Sequence, residues 1–245
     1  MSAEKPRLQI GTSGWSYDHW IGPFYPDDLP QEERLPYYRK HFDTVEINNT
    51  FYQNPEEETF RSWLEKVSED FEFAVKANRY ITHMKKLKDP REPLENFFQG
   101  ISRLGKNLGP VLFQLPPNWY YNHERLASFL EVLPTGRRYT FEFRDPEWIN
   151  AESLRLLEDH GAAFCIYDYK GRTSPKQVTA DFVYLRLHGP TEQAYEGRYT
   201  TADLAGWAGA VSTWLEGGKD IYCYFDNDYR GYAVENALEL LSMLE

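Results

Sequence analysis

Polar side chains recur where an apolar strand would be expected to continue. On one phase of a series of alternating runs stand Ser13, Glu46, Asn48, Lys76, Asn78, Gln114, Glu142, Arg144, Asp168, Arg186 and His188. The charges nearly cancel, with Glu46, Glu142 and Asp168 set against Lys76, Arg144 and Arg186. Such groups are costly to desolvate unless they are paired, hydrated or bound to a ligand. Three chemistries fit these residue types. Lys76, Arg144, Arg186 and His188 can hold a phosphate or carboxylate, the arginines in bidentate fashion. Glu46, Glu142 and His188 are then the candidate acid and base groups. Glu46, Glu142, Asp168, His83 and His188 also include enough donors for a divalent metal, although no His-x-x-x-His spacing is present and the nearby cations compete for the carboxylates. Finally, Glu46 and Glu142 can form a glycosidase pair, which only their separation decides. The alternative to all three is a structural salt-bridge network.

Other chemistries find no support. There is no Gly-x-Ser-x-Gly, and Ser13 has no identifiable base. Gly11-Thr-Ser-Gly14 lacks the glycine spacing of a dinucleotide loop, so neither NAD nor ATP is expected. No cofactor is expected, and a divalent metal remains the alternative. Aromatic residues crowd the segments that follow the strands, among them Trp15, Tyr17, Trp20, Phe51, Tyr52, Trp119, Trp148, Tyr169, Tyr195 and Tyr199. Most serve loop packing; a few can form a flat wall for a ring. Trp15, Tyr195 and Tyr199, with Asn48, Gln114, Asp168 and Asn227, complete the candidate substrate-binding set. The helix start at Thr200 is a candidate phosphate position.

The elements that must position these groups follow from periodicity. Alternation predicts strands over 8–14, 44–52, 71–78, 110–115, 138–144, 163–168, 182–188 and 220–227. Helical spacing predicts helices over 31–41, 93–106 and 232–243, and after the caps Asn54, Asn122, Asn150 and Thr200. Glu56, Glu57 and Glu58 suit the positive end of a helix dipole better than a metal. The connection 169–180 shows no clear helix, and no hairpin signal such as Asn-Gly separates the strands. Parallel strands need such crossovers. Eight β/α alternations predict an α/β fold, a single (β/α)8 TIM-like barrel with parallel strands and outer helices, spanning 1–245 as one domain. An open doubly wound sheet fits less well, because its strands would be apolar on both phases. In a barrel the polar phase converges on one pocket at the C-terminal mouth.

Composition narrows the class of partner. The chain has 245 residues, 41% hydrophobic and 27% charged, with a net charge of −11. That acidity lowers the expectation of nucleic-acid binding. No apolar run is long enough to span a membrane. The N-terminal run leads into a strand without an apolar signal core, so the expected compartment is the cytoplasm. Cys165 and Cys223 fall inside predicted strands at no metal spacing, as buried free thiols do.

Several motifs resemble one family. Gly11-Thr-Ser-Gly-Trp-Ser-Tyr17, Val45-Glu-Ile-Asn48 with Thr50-Phe-Tyr52, Phe73-Ala-Val-Lys-Ala77 with Ile81-Thr-His83, and Leu112-Phe-Gln-Leu-Pro-Pro117 are similar to the YecE-like proteins. So are Glu142-Phe-Arg144 with Trp148, Arg186-Leu-His-Gly189, and Tyr224-Phe225 with Asn227. The resemblance covers nearly the whole chain and implies a TIM-barrel fold in a domain family of unknown function. This chain has Asp226 where that family usually has a second Asn, so the resemblance gives no basis for a mechanism on Asp226. The expectation is an enzyme without a redox cofactor, acting on a small anionic or carbohydrate-like molecule by acid/base chemistry. A non-catalytic ligand-binding barrel, or a metal-dependent hydrolase processing nucleic acid, are the alternatives.

Overall fold

The computed structural model describes residues 5–245. The first four residues of the N-terminal run, on which the expectation of no signal core partly rests, lie outside the described residues. The strands are β1 (Leu8–Thr12), β2 (Thr44–Ile47), β3 (Glu72–Lys76), β4 (Leu108–Leu115), β5 (Tyr139–Phe143), β6 (Ala163–Tyr169), β7 (Arg172–Thr173), β8 (Phe182–Leu187) and β9 (Asp220–Phe225). The helices are α1 (Arg34–Tyr38), α2 (Glu57–Leu64), α3 (Arg91–Ile101), α4 (His123–Leu130), α5 (Ala151–Asp159), α6 (Thr201–Glu216) and α7 (Tyr232–Leu244). Leaving out the two-residue β7, the remaining strands alternate with helical segments as a TIM-like (β/α)8 barrel requires. No helix among the described residues is long and apolar enough to cross a membrane.

The chain divides into two compact units, and the division falls within β2 and β6. One unit comprises Met1–Glu46, Ile166–Lys176 and Asp181–Glu245. In it β9 pairs in parallel with both β1 and β8, and Ser13 bridges Glu46. Val183, Leu185 and Leu187 are buried on one phase of β8, while Tyr184 and Arg186 are buried on the other. In register with these two stand Tyr222 and Tyr224 of β9. The second unit comprises Ile47–Cys165 and Gln177–Ala180. There β4 pairs in parallel with β3 and β5, so that Gln114 stands opposite Glu142. Phe97, Ile101, Leu126 and Phe129 bury the apolar stripes of α3 and α4, each such side chain contributing about 1.5–3 kcal/mol.

Local chemistry explains both the agreements and the departures. Asn122 accepts from the Arg125 N–H at 2.9 Å and starts α4. Asn150 with Ser153, and Thr200 with Asp203, form reciprocal capping boxes. Asn54 does not cap α2. That helix begins at Glu57, and the Asn54 amide donates to the Asn96 carbonyl. The run 44–52 is a strand only to Ile47, because Asn48 has helical backbone angles and opens a 3-10 turn over Asn49–Phe51. The helix expected over 31–41 is a 3-10 turn followed by the short α1, and the one expected over 93–106 ends at Ile101 and continues as a 3-10 segment. Finally, β6 does turn back. Lys170 and Gly171 both have positive φ, and β7 returns antiparallel on Asp168 and Tyr169. This is the two-residue turn geometry favoured by hairpins, here carried by Lys-Gly.

Candidate functional site

The first unit holds a buried charge network built on β2, β8 and the end of β9. Both oxygens of Glu46, which is fully buried, accept hydrogen bonds. Oε1 takes the Ser13 hydroxyl at 2.7 Å and Arg186 Nη2 at 2.8 Å; Oε2 takes the Tyr184 hydroxyl at 2.7 Å and Arg186 Nε at 3.0 Å. Arg186 Nη2 also donates to Asp226 Oδ2 at 2.8 Å. The same Asp226 oxygen lies 2.9 Å from His188 Nδ1. Arg186 Nη1 faces His188 Nε2 at 3.4 Å. A guanidinium can only donate, so Nε2 presents its lone pair and the imidazole proton belongs on Nδ1, toward Asp226. The ring of His188 is enclosed edge-on by Tyr169 and Tyr195.

A second carboxylate, Asp228, follows on the same loop. Burial, then the charge of Asp226, raise its pKa, and His19 at 3.1 Å opposes the rise. Tyr17 donates to the Ser13 carbonyl at 2.6 Å. Burial and the carboxylates of Asp226, Asp228 and Glu46 push its phenol well above the usual range. Net charge around this network is negative, and Arg186 is already committed to two carboxylates.

Other predicted residues of this unit are held in structural bonds. Tyr199 is buried, and its hydroxyl joins the Gly189 N–H to the Asp168 carboxylate. Burial raises the pKa of Asp168, against that hydrogen bond. Asn227 is fully buried and ties the Gly197 carbonyl to Asn236. The carbonyl of half-buried Trp15 accepts the Tyr25 hydroxyl. Tyr195 is 44% exposed. The first N–H at Thr200 is taken by Asp203 at 2.9 Å, so a carboxylate of the chain itself stands where a phosphate was expected.

The second unit holds a group of opposite character. Glu142, fully buried on β5, pairs with Arg144, whose side chain is 6% exposed. Half-buried Gln114 stands in register with Glu142. At the end of β3 the Lys76 ammonium lies 4.5 Å above the Phe51 ring, and His83 meets the same ring edge-on at 5.0 Å. His83 Nδ1 is 2.9 Å from the Thr82 hydroxyl. Burial, then Lys76, Arg79 and Arg144, lower the His83 pKa to about 4, with Glu142 opposing. Three cations therefore act on one neutral imidazole, against one carboxylate. Asn48 is half-buried, and its Oδ1 has no donor among the described residues. Asn78 is spent internally, on the Thr50 carbonyl and the Tyr80 N–H.

Sequence reasoning passed over Asp226, Asp228, Tyr17 and Tyr184 as site residues. Strand phase carried a signal for Asp226, since it continues the Tyr222–Tyr224 phase that pairs with Arg186. Tyr184 likewise shares the phase of Arg186. Among the described residues, no three His, Cys, Asp or Glu side chains are grouped to hold a metal ion. Cys165 and Cys223 are buried and form no disulfide.

Comparison with known proteins gives consistent relatives. The family described as "Protein of unknown function DUF72" matches residues 9–245. The UPF0759 protein YunF of Bacillus subtilis is 24% identical, over 97% of this chain and 95% of its own. YecE of Escherichia coli K12 is 29% identical over 58% of this chain and 50% of its own. Among solved structures, a DUF72 family protein of Thermotoga maritima superposes with a TM-score of 0.88 at 32% identity, covering 97% of this chain and 99% of that one. A DUF72 family protein of Enterococcus faecalis gives 0.82 at 20% identity, over 97% and 95%.

Proposed function

This chain belongs to the DUF72 family, and from that premise we propose that it is an enzyme acting on a small anionic molecule by acid/base chemistry without a redox cofactor. The observation that carries this reading is the His83 group. A half-buried imidazole is held neutral down to about pH 4 by burial and by the charges of Lys76, Arg79 and Arg144. A bound phosphate or carboxylate would offset those cations. A neutral imidazole beside it presents a free lone pair, and the charge of the bound anion would raise its basicity toward the range of a general base. In this reading Lys76 and Arg144 bind the anion. Glu142 orients Arg144 through their ion pair, and Gln114 borders Glu142 across the strand pair. Asn48 offers an acceptor that lacks a donor. His83 joins Glu142 as a proton-handling group.

Glu46 and His188 take a different part. With both oxygens occupied, Glu46 fixes Arg186, and the His188–Asp226 pair is the proton-handling couple of its own unit. A cytoplasmic location and a single functional domain complete the proposal.

The test begins with binding. Titration calorimetry with inorganic phosphate, sulfate and small carboxylates should show binding that Lys76→Ala and Arg144→Lys each weaken by about tenfold or more. A turnover screen over phosphate- and carboxylate-bearing compounds follows. His83→Gln should keep the anion affinity and lose turnover. Equal affinity in the wild type, Lys76→Ala and Arg144→Lys would sink the reading. Binding without turnover on any compound would reduce it to a ligand-binding barrel.

A further inference from the structure

The second unit carries a cleft of about 250 Å³ between the segment that follows β3 and the start of α3. We infer that this cleft is a binding site for a small uncharged polyol, a molecule of monosaccharide size. Its volume lies just below the usual range for drug-sized ligands and suits a molecule of that size. Asn54, Asn78 and Asn96 supply amides to its walls, Tyr80 a 44% exposed ring, and Ile81 and Phe97 a buried apolar floor. The rim carries Lys85 against Asp89 and Glu92. That balance is net negative and repels the anions that the Lys76 group would attract.

The polar groups match hydroxyls. An amide offers a donor and an acceptor, as a hydroxyl does, and a ring face fits the C–H side of a sugar. Asn78 is committed through both its amide nitrogen and its amide oxygen, Asn54 through its nitrogen alone. Its Nδ2 donates to the Asn96 carbonyl, and its Oδ1 is buried without a donor among the described residues. A buried acceptor left without a donor is costly, and rotation of the amide toward the cleft would bring it to a ligand hydroxyl. Asn54 is placed there because it turns toward α3 instead of capping α2.

The backbone around the cleft is unusual as well. Tyr80–Met84 forms a π-turn, closed by the Lys85 N–H on the Tyr80 carbonyl at 2.8 Å. Lys86, Leu87 and Asp89 all have positive φ without being glycine. Leu87 is 1% exposed and donates its N–H to the Ile81 carbonyl at 3.0 Å, which pins the segment. Wide turns and left-handed residues of this kind collect at binding sites. The cleft stands independently of the acid/base reading, and its failure would leave that reading untouched.

Saturation-transfer NMR and calorimetry on the full chain, with methyl glycosides of the common hexoses and inositol, test the proposal. At least one should bind in the millimolar range, and Tyr80→Ala and Asn54→Ala should each weaken it by about tenfold. Tyr80 is exposed, so its variant folds even if the Asn54 variant does not. No binding by any of them at tens of millimolar overturns the inference. So does equal binding by Tyr80→Ala, or binding that Lys76→Ala abolishes and Tyr80→Ala leaves intact.

Discussion

Arg186 grips Glu46 side-on, with Nε 3.0 Å from Oε2 and Nη2 2.8 Å from Oε1, and the two side chains are 1% and 0% exposed. Neither charge can reach water, so each is compensated by the other and by its own bonded partners, Ser13 and Tyr184 for Glu46 and Asp226 for Arg186. Removing Glu46 leaves Asp226 to balance the Arg186 charge but strips the buried Ser13, Tyr184 and Arg186 donors of their acceptor, a loss of about 3–5 kcal/mol. Glu46→Ala should therefore lower the unfolding free energy by roughly that amount. Arg186→Met in the Glu46→Met background should recover much of the loss. Urea denaturation of the single and double variants measures both. A Glu46→Ala variant as stable as wild type would mean that water reaches Arg186.

Much of this arrangement was legible beforehand, for a local reason. Alternation alone places Glu46, Lys76, Glu142, Arg186 and His188 on the polar phase of their strands. Periodicity and caps likewise announce α4, α5 and α6. What escaped depends on contacts between residues far apart in the chain. Asp226 acquires its meaning only from Arg186 and His188, to which it bonds across the β8–β9 pair. Tyr199 reads as a loop aromatic until its hydroxyl is seen to hold Asp168 and Gly189. Asn48 looks like a strand residue by spacing, yet the backbone turns before it. Asn54 has the type and position of a cap, but its better partner lies on α3.

Gly189 lies between His188 and the loop that ends at Tyr199. Its φ of 102° suits glycine alone, and a Cβ there would collide with the Glu196 carbonyl. The Glu196 segment would have to move, and with it the Tyr199 hydroxyl that receives the Gly189 N–H. Gly189→Ala should cost roughly 2–4 kcal/mol. Chemical denaturation measures the cost, and near-ultraviolet circular dichroism should report the displaced tyrosines. A variant within 0.5 kcal/mol of wild type, roughly the scatter of neutral surface substitutions, would show that the loop yields without strain.

Asp228 is held close to Asp226, and its pKa is raised, chiefly by burial and then by that neighbouring charge. A carboxyl whose folded pKa exceeds its unfolded value costs stability once it ionises. The cost is absent below the unfolded pKa and complete above the folded one. Asp228→Asn should therefore raise the melting temperature at pH 7 and lose its advantage as the pH falls through the carboxylate range. The backbone carbonyl of Asp228 keeps its bonds from Trp20 and His19 in either form. Melting curves of both proteins across pH 3–8, roughly the span over which carboxylates titrate, decide the matter. A destabilised variant at pH 7 would mean that the His19 ion pair outweighs the repulsion.

His83 sets the opposite pH dependence. Its folded pKa is lowered to about 4, from 6.5, by burial and by Lys76, Arg79 and Arg144. Below pH 6.5 the unfolded chain therefore takes up a proton that the folded chain refuses. Folded stability is complete above the unfolded value, falls as the pH drops from 6.5 toward 4, and stops falling once the folded imidazole is also protonated. His83 is only half-buried, so solvent screening reduces the full linkage to on the order of 1–2 kcal/mol. His83→Asn cannot titrate. The difference in unfolding free energy between wild type and this variant should therefore shift by that amount across the same window. A constant difference would mean that His83 titrates alike in both states. A bound anion should raise the His83 pKa by offsetting the cations, and NMR titration of its ring protons with and without phosphate would show this directly.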